Sequence, residues 1–216
     1  MPLSSPPPDR PVPLVLGSAS PARLKTLRGA GVEPTVVVSE VDEDRVVAEA
    51  LDRYGPLGAV DIALVLARAK AEDVARRTES PALVLGCDSV LELDGEVHGK
   101  PATTAEAVAR WRRMRGRTGA LHTGHWLVDD RDSGGATIGA VASTTVHFAR
   151  ISDEEIDAYV ATGEPLHVAG AFTVDGIGGP YVERIEGDHH NVVGISLPLV
   201  REMLDEVGVA WHELRG

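Results

Sequence analysis

The chain has 216 residues, enough for one large α/β domain or two small ones and for a substantial core without staples. A net charge of −12 makes the chain a poor general binder of nucleic acid, whose backbone needs a basic surface, yet allows a small phosphate ligand held by local cations and a metal. The single cysteine, Cys87, excludes an internal disulfide and suits a reducing cytoplasm, and no apolar run approaches the roughly 20 residues that span a bilayer.

The first segment, Met1 to Pro13, holds six of the 14 prolines and lacks the apolar stretch of a signal peptide. It is read as a disordered or polyproline-like tail over residues 1–12, ahead of a single domain over 13–216. Leu14 to Leu16 predicts a short strand ending at Gly17-Ser18. A helix follows with Ser20 as N-cap and Pro21 at its first position, ending before Gly31. Thr35 to Val38 reads as a second strand, Ser39 to Asp44 as an acidic loop, and Leu57 to Arg77 as a long Ala-rich helix. Ala82 to Cys87 reads as a buried strand with Asp88 at its C-terminal end. Asp94-Gly95 predicts the two-residue turn of a hairpin between Val90–Leu93 and Glu96-Val97.

Thr104 to Met114 is a predicted helix. Ala120 to Val128 and Thr137 to Ala149 are predicted strands joined by the polar loop Asp129 to Gly135. Ser152 and Glu155 form a capping box for a helix running to Ala161. A Gly-rich stretch from Gly163 to Gly179, a strand at Tyr181 to Ile185 and a last helix over Leu197 to Val207 complete the chain. Alternating strands and helices, with two long adjacent strands, predict an α/β fold around a mixed sheet. Aromatics make up only 4% of the residues, so the core is expected to be Val, Leu, Ile and Ala.

Chemistry concentrates in four segments. Gly17 to Arg23 combines a strand end, small residues, a helix N-terminus and a cation, a setting that suits an anion. Asp88, closing an apolar strand, stands where open sheets place ligands, as a metal ligand or a base. Gly99-Lys100-Pro101 is a fixed loop that presents a lysine, without the spacing of a P-loop. Glu164 to Gly179, followed by Glu186 to Asn191, has glycines that let backbone approach a ligand. Only three of the 21 cations are lysines, Lys25, Lys70 and Lys100. Where Arg is the default cation, a retained Lys suits a phosphate contact, a reading applied to Lys70 and Lys100, with Lys25 left on the surface. His189 and His190, adjacent in extended backbone, are expected to point apart. His122 and His125, three apart on a strand, are expected on opposite faces, so no histidine metal cluster is predicted.

The order of these segments resembles the Maf family of nucleotide pyrophosphatases. Leu14 to Arg23 is similar to its N-terminal signature, Ser39 to Glu43 to its acidic motif, and Leu66 to Ala71 to its helical Lys motif. Gly86 to Ser89, Gly99 to Pro101, His122 to Gly124, Tyr159 to Glu164, Ala169 to Phe172 and Glu183 to Gly194 follow in order, and the likeness spans Pro13 to Val209. The resemblance implies a mixed central sheet flanked by helices, with a deep nucleotide-binding cleft and often a homodimer. It implies hydrolysis of a nucleoside triphosphate to monophosphate and pyrophosphate with a divalent cation, Mg²⁺ or alternatively Mn²⁺ or Co²⁺. By position it makes Asp88 the general base. Ser18, Arg23, Glu43, Lys70 and Lys100 then line the phosphate and metal end, with Glu43 and Asp88 as metal ligands, and Asp175 is a base-reading residue. Two departures stand out. Ala22 replaces the first of two arginines, and Asp175 stands where uridine/thymidine-type members carry Gln. The alternatives are a non-catalytic nucleotide-binding regulator of cell division or septum formation, and a pyrophosphatase for inosine-type damaged nucleotides.

Overall fold

A computed structural model describes residues 11–132 and 135–215. Met1 to Arg10, most of the predicted tail, lie outside the described residues. Val12 donates its backbone N–H to the Glu213 carbonyl at 2.8 Å, so the first described residues are tied to the last turn of the chain.

Among the described residues, seven strands form one sheet: β1 (Leu14–Gly17), β2 (Thr35–Val36), β3 (Leu83–Leu93), β4 (Glu96–His98), β5 (Thr118–Asp129), β6 (Ala136–Phe148) and β7 (Val182–Glu186). The order is β2-β1-β3-β5-β6-β7, with β4 attached to the far half of β3. β1 pairs parallel to β2 and β3, and the other pairs are antiparallel, as the mixed-sheet expectation requires. The β3–β4 turn carries positive φ at both Asp94 (57°) and Gly95 (77°), the twist that a two-residue hairpin needs.

The helices are α1 (Pro21–Gly29), α2 (Glu43–Tyr54), α3 (Ala59–Arg77), α4 (Thr104–Met114), α5 (Asp153–Ala161), α6 (His189–Val193) and α7 (Leu197–Glu206). Two of them correct the sequence reading. The acidic stretch is not a loop throughout: Asp42 caps a helix by accepting from the Arg45 N–H at 3.0 Å, and Glu43 is the first residue of α2. His189 and His190 lie in α6, not in extended backbone. Among the described residues no helix is long and apolar enough to cross a membrane.

β3 joins two cores. Its first half buries Leu83 and Leu85 with Leu14, Leu16 and Leu27 and with Val200, Met203 and Leu204 of α7. Its second half buries Leu91 and Leu93 in a cluster with Trp111, Phe148, Tyr159 and Phe172. Aromatic side chains are therefore scarce but gathered, edge-on to one another around Trp111, and this half of the core is not purely aliphatic. Between the two cores lies the centre of β3, where Asp88 sits. The strand does not end at Cys87 as expected; it continues to Leu93, and Asp88 pairs with Gly124 of β5 in mid-strand.

Candidate active site

The approach of α3 to the sheet sets the site. Ala63, Ala67 and Ala71 recur every four residues, so they share one helix face, and all three are fully buried. They lie on Gly86 of β3 and Gly124 of β5. A methyl at Gly86 would overlap the Ala67 carbonyl, and one at Gly124 would overlap the Ala63 carbonyl. Small residues on both sides thus let the helix backbone rest on the sheet. Lys70, beside Ala71 on α3, is thereby brought to Asp88, two residues beyond Gly86.

The Lys70 ammonium bridges two carboxylates. It donates to Asp88 Oδ1 at 2.5 Å and meets Glu43 Oε1 at 2.7 Å. The two acids respond in opposite directions because they differ in exposure: the Asp88 side chain is 11% exposed and that of Glu43 48%. Burial pushes the Asp88 pKa up, outweighing the pull of the Lys70 and Arg23 charges. Burial also acts upward on Glu43, but there the Lys70 contact and the charges of Lys70, Lys100 and Arg23 prevail and hold it below the usual carboxylate range. Asp88 is therefore the more basic of the two.

Arg23 forms the second part. It lies on the first turn of α1, whose N-cap Ser20 accepts from its N–H at 3.4 Å. The guanidinium is buried, and its hydrogen-bond partners among the described residues are neutral. It donates to the Gly194 carbonyl at 2.6 Å, to Ser18 Oγ at 2.9 Å and to Ser89 Oγ at 3.0 Å. Ser89 sits 2.9 Å from Thr123 Oγ1, and Thr123 donates to the Asn191 carbonyl at 3.1 Å. A carbonyl can only accept, so the proton order is fixed: Arg23 to Ser89, Ser89 to Thr123, Thr123 to Asn191. Ser89, Thr123 and Asn191 are not named individually as site residues in the sequence reading, although all three lie within matched motifs.

His125 is buried beside this network. Its Nδ1–H donates to the Thr123 carbonyl at 3.0 Å and its Nε2 accepts from the Ser196 N–H at 2.8 Å, which fixes a neutral tautomer. Burial, reinforced by the Arg23 charge, lowers its pKa to about 4. Burial likewise pushes the Cys87 thiol up to about 11, which leaves it inert as a nucleophile.

Of the residues singled out in the sequence, Asp88, Lys70 and Glu43 meet directly, as do Ser18 and Arg23. Lys100 is exposed on its loop, and its charge acts on Glu43. Asp175 lies elsewhere. It is exposed and lines a cleft of about 460 Å³ with Lys25 and Thr26 of α1, His189 and His190 of α6, and Leu197. Lys25, read as a plain surface lysine, thus shares a cleft with Asp175. The imidazoles of His189 and His190 do not point apart; on α6 their centroids lie 3.8 Å from each other, and with Asp188 they could reach one ion. Asp188 Oδ1 already accepts from the His190 backbone N–H at 3.0 Å and lies 3.1 Å from its Nδ1.

The donor set around Lys70 suits a hard divalent cation. Two carboxylates from different elements converge on one positive centre, and Mg²⁺ takes one or two carboxylates while keeping sites for water and phosphate oxygens.

A family model described as Maf-like protein matches residues 13–207. A nucleoside triphosphate pyrophosphatase from Salinispora tropica is 57% identical over 203 residues, covering 92% of this chain and 85% of that protein. One from Streptomyces avermitilis is 56% identical over 202 residues, covering 93% of each chain. A third, from Nostoc punctiforme, is 50% identical over 196 residues, covering 91% and 94%.

Proposed function

This chain belongs to the Maf-like protein family, and on that premise we propose that it is a nucleoside triphosphate pyrophosphatase, cleaving between the α- and β-phosphates to release a monophosphate and pyrophosphate. The observation that carries the mechanism is the buried, proton-avid Asp88 held by Lys70 and facing a cluster of cations.

Water attacking the α-phosphorus must lose a proton, and Asp88 accepts it. Its raised proton affinity makes it a stronger base than an ordinary carboxylate. The incoming triphosphate brings several negative charges. Lys70, Lys100 and Arg23 offset them and stabilise the charge that develops on the pyrophosphate leaving group. Arg23 suits this part because its contacts among the described residues are neutral oxygens, so its charge is open to an anionic ligand. Ser18 holds the guanidinium in place and caps the turn at the start of α1. Glu43 and Asp88 would hold the divalent cation, which when bound neutralises phosphate charge and orients the nucleotide. Asp175, in its own cleft, would read the base. The setting is the cytoplasm, consistent with an acidic chain whose one thiol is buried.

The test is pyrophosphate release by pure protein from UTP, dTTP, CTP and GTP with Mg²⁺, in the parent and in Asp88→Asn. The substitution keeps the shape and removes the base, so turnover falls by on the order of 10² or more. Tight nucleotide binding without pyrophosphate release by the parent would favour the regulator reading instead.

A further inference from the structure

We propose that Glu106 and Arg110, an ion pair on α4, are positioning residues for Lys100. The inference rests on the reading that Lys100 meets the triphosphate.

Lys100 lies on the loop between β4 and α4, and its two flanks are fixed by one pair of side chains. Arg110 Nη1 donates to the Gly99 carbonyl and Nη2 to Glu106 Oε1, each at 2.5 Å. The other oxygen of Glu106, Oε2, accepts from the Ala102 N–H at 2.8 Å. Gly99 and Ala102 are the residues on either side of Lys100-Pro101, so the four-residue loop is clamped at both ends. Pro101 is buried and fixes φ between them. The Gly99 carbonyl also accepts from the Gly170 N–H at 3.1 Å, which joins the loop to the turn at Ala169–Ala171. The Lys100 side chain remains exposed, on a backbone held from three directions.

Two features separate this from ordinary helix capping. In a capping box the acid three residues into the helix reaches back to the N–H of the cap residue itself. Here Glu106 is in that place, and Thr103 is the cap, accepting from the Glu106 N–H at 3.2 Å. Yet the Glu106 carboxylate reaches past Thr103 to Ala102, on the loop. The second feature is burial. The Arg110 side chain is 5% exposed, against 44% for Glu106. A buried guanidinium is a poor means of adding stability, because an apolar residue of similar size serves as well; what it adds is a fixed position for the carbonyl it holds.

The experiment is a double-mutant cycle on kcat and KM for whichever of UTP, dTTP, CTP and GTP is hydrolysed fastest. Four proteins are compared: the parent, Arg110→Lys, Lys100→Ala and the double variant. A residue that acts through Lys100 matters only while Lys100 is present. Lys100→Ala is expected to lower kcat/KM by about tenfold or more, as loss of a charge-assisted contact does. Arg110→Lys is expected to lower it by about fivefold in the parent and by less than about twofold in the Lys100→Ala background. Equal losses in both backgrounds, or no loss in the parent, would overturn the clamp. A silent Lys100→Ala would overturn the phosphate role of Lys100, and the clamp with it, and is recognisable as that failure. Glu106→Gln, at the more exposed end of the pair, runs through the same cycle if Arg110→Lys does not melt cooperatively. Its loss is expected to be smaller, about threefold, and to vanish equally without Lys100.

Discussion

Lys70→Met removes the ammonium and keeps most of the side chain's volume, and its consequences follow from the contacts Lys70 makes. Lys70 and Asp88 are each 11% exposed, so Asp88 would be left buried without its contact partner. Breaking such a pair costs about 3–5 kcal/mol if the remaining charge stays ionised. Asp88 can escape part of that by taking a proton, so the loss appears partly as a further rise in an already raised pKa. The contact with half-exposed Glu43 is screened and adds at most about 1 kcal/mol. A phosphate contact is lost as well. Near pH 7 these effects together predict a loss of about a hundredfold in kcat/KM. The assay is kcat/KM between about pH 5 and 9 for the parent, Lys70→Met and Lys25→Ala. In the parent, activity falls on the acid side as Asp88 takes a proton, because Asp88 must be ionised to act. In Lys70→Met the limb moves to higher pH, and activity recovers in part as pH rises. An acid limb that stays in place, or a Lys25→Ala protein as impaired as Lys70→Met, would refute the assignment.

Three further outcomes are expected. His125 titrates near 4 when folded and near 6.5 when unfolded, so the unfolded chain binds the extra proton between those values. That stability is present above pH 6.5 and declines as pH falls, reaching a loss of about 3 kcal/mol near pH 4. Urea midpoints across this window should fall less steeply in His125→Gln, and an unchanged slope would refute the buried neutral imidazole. Gly86→Ala forces α3 off the sheet, because its methyl would overlap the Ala67 carbonyl and meet the Ala71 nitrogen at 2.6 Å. We expect a stability loss of about 1–3 kcal/mol, read by melting, together with lower turnover as Lys70 withdraws from Asp88. Asp175→Gln should shift the ranking of UTP, dTTP, CTP and GTP towards uracil and thymine, because an amide can donate to O4 where a carboxylate only accepts. An unchanged ranking would remove Asp175 as the base reader.

The sequence was most legible where one local signal decides the outcome. Ser20-Pro21, the Ser152–Glu155 box and Asp94-Gly95 each fix a cap or a turn by their own chemistry, and the elements follow. It was less legible where two readings share the same residues. Asp42 to Asp44 looks like an acidic loop, yet an Asp cap followed by acids in the first turn is also how a helix begins, and Gly55 with φ 81° supplies its end. The mid-strand position of Asp88 was hidden because an aspartate in an apolar run reads as a boundary. Pairing with Gly124 and cover by α3 are tertiary facts. The histidines at 189 and 190 were misplaced for another reason: a helix as short as α6 has too few residues to show a period. Scarce lysines pointed to Lys70. Its role as a bridge between Asp88 and Glu43 depends on the helix-to-sheet contact at Ala67 and Gly86, which no spacing along the chain reveals.

The central claim is that Asp88 activates water for attack at the α-phosphorus, and hydrolysis in ¹⁸O-labelled water tests it most directly. The products of the fastest substrate are separated and the label is located by mass spectrometry. The account predicts ¹⁸O in the phosphate of the nucleoside monophosphate, none in pyrophosphate, and loss of the labelled product in Asp88→Asn. Label in pyrophosphate, or undiminished labelling in Asp88→Asn, would contradict it.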